Sequence, residues 1–227
     1  MKKKYVVRLT EQNLIDLIKN NILTTDGGRI VGDFIKSVLG GKSNTSTNKS
    51  SNSDVTGGDS KFPKLNLNTP EGFDSYEEIA DNFINTRSSN LLGIRGSMLA
   101  DAAKKAYNTH KVYVPVELAL AQLAQEGGFS SDPNARPIKT KNPFNVGNID
   151  SGKNVSYGST QNGINNYYDL IAKNYLSGGK TASDLLNNFV NSGGKRYATD
   201  KNYEDSLKNI TQSVSKMAKP IYSSLNS

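Results

Sequence analysis

Glu126 is the residue whose type and position most favour chemistry in this sequence. It ends the apolar stretch ELALAQLAQE and is followed by Gly127 and Gly128. In the last turn of a predicted helix, unpaired carbonyl groups and the helix dipole disfavour an ionised carboxylate and raise its pKa. An acid that stays protonated near neutral pH can protonate a leaving group, and the two glycines would leave it accessible. The simpler alternative is an exposed glutamate beside a helix end.

The other polar residues of this helix have less specific roles. Glu117 precedes Glu126 by nine residues, or two and a half helical turns, so the two carboxylates point to opposite sides and are not a catalytic pair. Glu117 falls in the first turn, where the helix dipole favours a negative charge. Gln122 shares the face of Glu126, four residues earlier, and is predicted to hydrogen-bond a ligand.

Composition excludes several kinds of site. The chain has no Cys and its only His is His110. Disulfides, thiolate metal sites and a Cys nucleophile are therefore impossible, and any Ser-His-Asp triad would depend on His110 alone. We expect neither a metal ion nor a cofactor.

The formal charge of +7 indicates a polyanionic partner, which could be nucleic acid, a membrane surface or an anionic wall polymer. The basic residues are scattered, and 11 Tyr with no Trp fit no nucleic-acid motif, so nucleic acid is not favoured. No apolar run approaches the roughly 20 residues of a membrane span. The basic start MKKKYVVRLTEQN lacks the apolar segment of a signal peptide, so synthesis in a cytoplasm without a leader is expected.

The pattern of apolar residues predicts a mostly α (α+β) protein in three parts. Residues 1–40 form an N-terminal amphipathic helical element, residues 41–62 form a polar Ser/Asn/Thr/Gly linker, and residues 63–227 form the main domain.

Within the main domain, Ser75 and Glu78 form a predicted capping box. Further helices are predicted to open at Ser97, beside Pro115, over 163–176, from the Thr181 capping motif to Gly193, and from about Asp200 to Pro220. Residues 139–157, rich in turn residues with valine and isoleucine between them, predict a small sheet.

Four motifs together resemble a known family. AQLAQEGGF, NPFNVGN, GINNYYDLIAKNYL and RYATDKNYEDSLKNI, in that order and spacing, are similar to the glucosaminidase domains of glycoside hydrolase family 73. The resemblance covers roughly residues 75–217. It implies a lysozyme-like helical domain with a small β lobe and a peptidoglycan hydrolase of the autolysin and phage lysin type.

The resemblance also implies roles for individual residues. Glu126 matches the general acid of the family, and Tyr197 matches the tyrosine that faces the acid across the groove. Tyr203 matches the next aromatic, although core packing is an alternative for it. Asn145 stands where the family often has glycine. The glycan groove would use these together with further aromatic and amide residues, namely Gln122, Asn142, Phe144, Asn148, Tyr157, Gln161 and Tyr168.

The second catalytic group is left open. Asp150 is favoured because the β lobe is where the family places its second acid, and Asp132 is the other acid between Gly127 and Gln161. An Asp in a turn is also ordinary, and the N-acetyl group of the substrate could replace a protein carboxylate. A lytic transglycosylase or a muramidase on the same fold, and an inactive virion or glycan-binding module, therefore stay open as alternatives.

The N-terminal MKKKYVVRLTEQNLIDLIK looks like a leader found on proteins of crAss-like tailed phages. It implies a phage-encoded enzyme, acting on the bacterial wall as an endolysin or packaged in the virion through this helix. Docking on an unrelated partner is the alternative. A monomer is expected.

Overall fold

The central element of the domain is a helix that is buried on nearly every side. In the computed structural model, which describes residues 61–148 and 154–225, this helix is α3, Val116–Gln125. Its first eight residues are buried, because leucine, alanine and valine occupy all its faces. A helix of this composition requires neighbours around it, and the rest of the domain supplies them.

The described chain is mostly helical. The helices are α1 (Pro70–Ile84), α2 (Gly96–His110), α3, α4 (Arg136–Thr140), α5 (Thr160–Leu170), α6 (Ala182–Asn187) and α7 (Tyr203–Ser224). A π-helical turn, Ile171–Tyr175, continues α5, and a 3-10 turn, Ser177–Gly179, follows it. The predicted N-terminal element and most of the predicted linker lie outside the described residues.

Helix α7 lies antiparallel to α3 and contacts both of its ends. The Tyr203 hydroxyl donates to Glu126 Oε1 at 2.8 Å, and the Tyr222 hydroxyl donates to Glu117 Oε1 at 2.8 Å. The predicted end of this helix at Pro220 is wrong, since α7 continues through Pro220 to Ser224. Proline removes only one helical hydrogen bond there, and the buried Ile221 and the Tyr222 contact hold the last turn.

Other helix ends also differ from the predictions. Thr69, rather than Ser75, caps α1 by accepting from the Gly72 N–H at 3.2 Å, and Ser75 is buried inside the helix. The capping box of Thr181 and Asp184 is confirmed, but α6 ends at Asn187 instead of Gly193.

The predicted sheet over 139–157 is wrong for the described part of that segment. Residues 139–140 end α4, residues 141–148 form turns, and residues 154–157 include no strand. The buried Asn142 side chain instead forms hydrogen bonds with the backbone on both sides of the segment. It accepts from Val146 N at 3.0 Å and donates to Val146 O at 3.0 Å and to Val155 O at 3.3 Å. The Asn142 side chain thus satisfies backbone groups that would bond to each other in a hairpin of two strands.

The turn around Asn142 is held against α5 by close backbone packing. Gly163 of α5 faces the Lys141 carbonyl, and an added Cβ there would overlap that oxygen and lie 2.9 Å from Pro143 Cδ. The Tyr157 N–H donates to Thr140 O at 2.8 Å and fastens the other end of the segment. The turn around Asn142 is thus packed directly against α5.

We predict that Gly163→Ala lowers the free energy of unfolding by about 1–3 kcal/mol, because the methyl group has no space between α5 and the Lys141 carbonyl. Urea unfolding followed by circular dichroism measures the change. Gly158→Ala is the matched control, since its Cβ would meet only Asn162 Nδ2 at 3.9 Å, and it is expected to change stability by less than about 0.5 kcal/mol. Equal losses in the two variants would contradict this account of the packing.

Candidate active site

Glu126 lies on the wall of an open cleft with a volume of about 620 Å³. It is the C-cap residue of α3, and Gly127 follows with a φ of 84°, a left-handed conformation that glycine adopts without strain. The chain therefore turns away from the helix directly after the acid. The cleft is lined by Gln125, Glu126, Arg136, Asn145, Asn148, Lys195, Arg196, Tyr197, Ala198, Thr199, Asp200 and Tyr203.

The Glu126 carboxyl group accepts hydrogen bonds from two sides. Tyr203 donates to Oε1 at 2.8 Å from α7, and Asn145 Nδ2 donates to Oε2 at 3.1 Å from the turn after α4. The same Asn145 nitrogen also donates to the Glu126 backbone oxygen at 2.8 Å. These contacts hold the carboxyl group in one orientation at the edge of the core.

Burial raises the pKa of the Glu126 carboxyl above its ordinary value, and it is the largest effect on this group. The hydrogen bonds from Tyr203 and Asn145 and the charge of Arg136 act in the opposite direction and limit the rise. The predicted direction of the shift is confirmed. Its main cause is burial, whereas the sequence suggested the position at the helix end.

The backbone at Asn145 has a conformation that favours glycine. Its φ is 52°, in the left-handed region that favours glycine and that Asn tolerates better than most residues. Asn therefore keeps the turn that glycine would make and adds an amide that reaches Glu126. Asn148 Nδ2 donates to Asn145 Oδ1 at 3.0 Å, which orients the Asn145 amide with its nitrogen toward the acid.

Gln122 and Tyr203 are placed differently from their predicted roles as ligand contacts. Gln122 is fully buried, so it cannot touch a ligand in the cleft. It accepts from the Tyr167 hydroxyl at 2.6 Å and donates to the Tyr203 oxygen at 3.0 Å. Tyr203 is 2 % exposed, and its hydroxyl serves the acid rather than a sugar ring. Both residues thus act through Glu126.

Tyr197 lines the cleft, but its hydroxyl donates to the Phe144 backbone oxygen at 2.7 Å and not to Glu126. Its ring stacks on that of Tyr203, with centroids 6.0 Å apart and an interplanar angle of 16°. Tyr203 is therefore the tyrosine that contacts the acid, while Tyr197 supports it.

Phe144 was predicted to face the glycan, and the structure corrects this. Its ring is fully buried and stacks on Tyr167 with centroids 3.6 Å apart and an interplanar angle of 6°. Asn142 and Tyr168 are also fully buried, the first within its turn and the second bonded to Tyr76 at 2.8 Å. None of the three side chains has surface to offer a ligand.

The remaining predicted contacts divide between the cleft and other surfaces. Asn148 lines the cleft, and its Oδ1 accepts from Val155 N at 2.7 Å. Gln161 lies at the start of α5, where it donates to Met98 O at 3.0 Å, and it does not line the cleft. Tyr157 is half-buried beside Gly163 and is likewise outside the lining.

The candidates for a second acid fare differently. Asp150 lies outside the described residues, and the exposed Asp132 accepts from Asn134 N at 2.8 Å, away from the cleft. Asp200 lines the cleft, although the second acid was predicted between Gly127 and Gln161. The YATD motif held the signal, since the aspartate follows Tyr197 by three residues.

Basic side chains make part of the cleft wall cationic. Arg196 is held by Glu204 at 2.8 Å, while Arg136 and Lys195 present exposed side chains in the lining. The net charge predicted an anionic partner but could not indicate which cations share one surface. The sequence also did not indicate that Tyr167 bonds to Gln122 behind the cleft, because Tyr167 occupies an ordinary core position in its helix.

Comparison with known protein families, with curated proteins and with solved structures finds no match to this chain. Within residues 61–148 and 154–225, no helix is long and apolar enough to cross a membrane. Over the same residues, no three His, Cys, Asp or Glu side chains are grouped so that they could hold a metal ion.

We predict that Glu126→Gln becomes more stable relative to the wild type as pH rises above about 4.5, the ordinary pKa of a glutamate. The folded wild type holds the Glu126 proton above the ordinary value of about 4.5, whereas the unfolded chain releases it there. Wild-type stability therefore falls as pH rises above this value, and the variant lacks that loss. Urea unfolding at a series of pH values measures the difference.

Glu204→Gln is the control with the opposite sign. Burial would raise the Glu204 pKa, but the Phe189 N–H at 2.9 Å and Arg196 at 2.8 Å outweigh it and lower the pKa. The ionised form is then the stabilising one, so this variant loses stability relative to the wild type as pH rises from acid to neutral. The same slope for both substitutions would show that the Glu126 contribution is wrongly assigned.

Proposed function

We propose that this protein is a peptidoglycan hydrolase that cleaves the β-1,4 bond after N-acetylglucosamine, with Glu126 as its general acid. The observation that carries the proposal is a carboxyl group with a raised pKa, fixed by two donors, on the wall of a polar cleft. A volume of about 620 Å³ suits a segment of a glycan chain. Glycosidic cleavage requires an acid held protonated in such a position.

In the proposed reaction, Glu126 transfers its proton to the glycosidic oxygen as the bond to the anomeric carbon breaks. The sugar then carries oxocarbenium-like positive charge, and Glu126 becomes an anion. Tyr203 and Asn145 donate to both carboxyl oxygens, so they stabilise that anion as it forms. Water adds to the anomeric carbon and releases a proton, which is taken up by the group that assists it or by Glu126, and this completes hydrolysis.

The group that assists the attacking water has three candidates. Asp200 lines the cleft, although its Oδ1 already accepts from Asn202 N at 2.9 Å. Asp150 would belong to the β lobe that the family resemblance implies. The N-acetyl group of the substrate is the third. A transglycosylase, which needs one acid, is the second candidate function, because among the described residues of the cleft lining Asp200 is the only other carboxylate and it already accepts a backbone hydrogen bond.

The family resemblance supports the same proposal. Glu126, Asn145, Tyr197 and Tyr203 come from three separate motifs, and all four line one cleft. The proposal includes the lysozyme-like fold, with turns rather than strands in the described part of the segment where the resemblance implied a β lobe. It also includes a phage-encoded enzyme acting on the bacterial wall, with the N-terminal segment, which the sequence predicts to be helical, as a docking element for virion proteins.

We predict that Glu126→Gln abolishes lysis of purified cell walls, because glutamine keeps the volume of the side chain but has no acid proton to give. The expected loss is at least about a hundredfold, as for removal of a general acid. Turbidity loss of wall suspensions measures it, and the melting temperature shows that the variant is folded. Glu78→Gln, the same change on the exposed face of α1, is expected to keep full activity. Lysis at the wild-type rate by Glu126→Gln would refute the proposed role of Glu126.

We predict that the digest of purified walls ends in N-acetylglucosamine at its new reducing ends. Borohydride reduction followed by mass spectrometry then gives glucosaminitol termini. Muramicitol termini would instead identify a muramidase, and 1,6-anhydro products would identify a transglycosylase. An undigested wall that binds the protein would identify a glycan-binding module without activity.

A further inference from the structure

A chain of hydrogen bonds joins the core tyrosine of α5 to the acid of the cleft. Tyr167 donates to Gln122 Oε1 at 2.6 Å, Gln122 Nε2 donates to the Tyr203 oxygen at 3.0 Å, and Tyr203 donates to Glu126 Oε1 at 2.8 Å. Tyr167 and Gln122 are fully buried and lie behind the cleft, whereas the almost fully buried Tyr203 and Glu126 belong to its lining. In each of these three hydrogen bonds, the hydrogen is directed toward the next residue on the way to Glu126.

We propose that Tyr167 and Gln122 are positioning residues that hold the Tyr203 hydrogen on Glu126 Oε1 and thereby confine the mobile proton of the acid to Oε2. The catalytic meaning of this arrangement rests on the proposed function, whereas the arrangement itself does not. Neither Tyr167 nor Gln122 touches the cleft, so both act through Tyr203.

The orientation of the Gln122 amide sets the direction of every hydrogen bond between Tyr167 and Glu126. Among the described residues, the Tyr167 hydroxyl has Gln122 Oε1 as its only hydrogen-bond partner. Turning the amide over would leave the Tyr167 hydrogen buried without an acceptor, which is costly. The amide nitrogen is therefore held toward Tyr203, whose oxygen accepts from it. The Tyr203 hydrogen is then left to Glu126.

The two carboxyl oxygens consequently differ. A proton on Oε1 would meet the Tyr203 hydrogen, so Oε1 is kept as an acceptor. A proton on Oε2 displaces only the longer contact of Asn145 Nδ2, at 3.1 Å, and that nitrogen keeps the Glu126 backbone oxygen at 2.8 Å. Oε2 is therefore the oxygen from which the proton is delivered.

Other groups also act on the acid and bear on any pH measurement. Arg136 of α4 lowers the Glu126 pKa, and Tyr167, Tyr197 and Tyr203 face it from α5, the loop before α7, and α7. The remaining ionisable groups of the cleft wall are Lys195, Arg196 and Asp200. A test must therefore change the hydrogen-bond chain without changing any of these charges.

The decisive experiment measures the pKa of Glu126 in the full-length chain by NMR of ¹³C-labelled glutamate carboxyl groups. Glu126→Gln identifies the resonance. Tyr167→Phe frees the Gln122 carbonyl to accept from Tyr203, so Glu126 loses its donor. The pKa of Glu126 is expected to rise by about one unit, the size of one hydrogen bond to a charged group.

Tyr168→Phe is the matched control. Tyr168 follows Tyr167 in α5 and is equally buried, but its hydroxyl bonds to Tyr76 at 2.8 Å and leads away from the acid. This variant is expected to move the Glu126 pKa by less than about 0.2 unit. Equal shifts in the two variants, or no shift in Tyr167→Phe, would overturn the proposal.

A double variant shows whether Tyr167 acts on Glu126 through the hydrogen-bond chain or through a general effect on the core. If Tyr167 acts only through Tyr203, then Tyr167→Phe combined with Tyr203→Phe has the same Glu126 pKa as Tyr203→Phe alone. Additive shifts would overturn the proposal.

In the wild type, the Gln122 side-chain amide signals are expected to titrate with the same midpoint as Glu126, and this measurement needs no variant to fold. Gln122 amide signals that do not change with pH would count against the proposed role of Gln122.

The pH profile of wall lysis gives the functional readout. Its alkaline limb is expected to move upward by the same amount as the pKa in Tyr167→Phe, and to stay in place in Tyr168→Phe. The two proposals fail separately. Lysis by Glu126→Gln would refute the proposed function without affecting the NMR result. An unchanged Glu126 pKa in Tyr167→Phe would refute only the positioning role of Tyr167 and Gln122.

Discussion

The carboxyl group of Glu126 lies where a fully buried helix meets an open cleft, and this position sets the requirements for its surroundings. Burial raises the pKa of this carboxyl group by disfavouring its ionised form. The hydrogen bonds from Tyr203 and Asn145 and the charge of Arg136 offset part of that effect. The site thus balances desolvation against donors, and each donor comes from a different part of the chain.

The core and the site are built from the same side chains. The ring of Phe144 stacks on Tyr167, and its backbone oxygen accepts from Tyr197, so one residue ties the turn after α4 to α5 and to the far wall of the cleft. Tyr197 in turn stacks on Tyr203. Because aromatic rings in contact are rigid and have few rotamers, this cluster can hold a hydroxyl in place with little freedom to lose.

Helix α7 has a structural role that extends along the whole of α3. Its first residue, Tyr203, contacts the acid at one end, and Tyr222 contacts Glu117 at the other. The antiparallel packing of two helices thus fixes both the centre of the domain and the donor of the site. This is also why the predicted helix break at Pro220 did not occur, since contacts in the final turn outweigh one missing hydrogen bond.

The sequence by itself determined the features that depend on neighbours along the chain. The apolar run of α3, the acid at its end, the glycine turn after it and the capping box of Thr181 all follow from local spacing. The tertiary structure decided which tyrosine meets the acid and which amide reaches it. Tyr203 and Asn145 lie 77 and 19 residues from Glu126, and their contacts depend on how α7 and the turn after α4 pack. Periodicity marks such residues only as buried, because it records the face of a helix and not the neighbour that the face will meet.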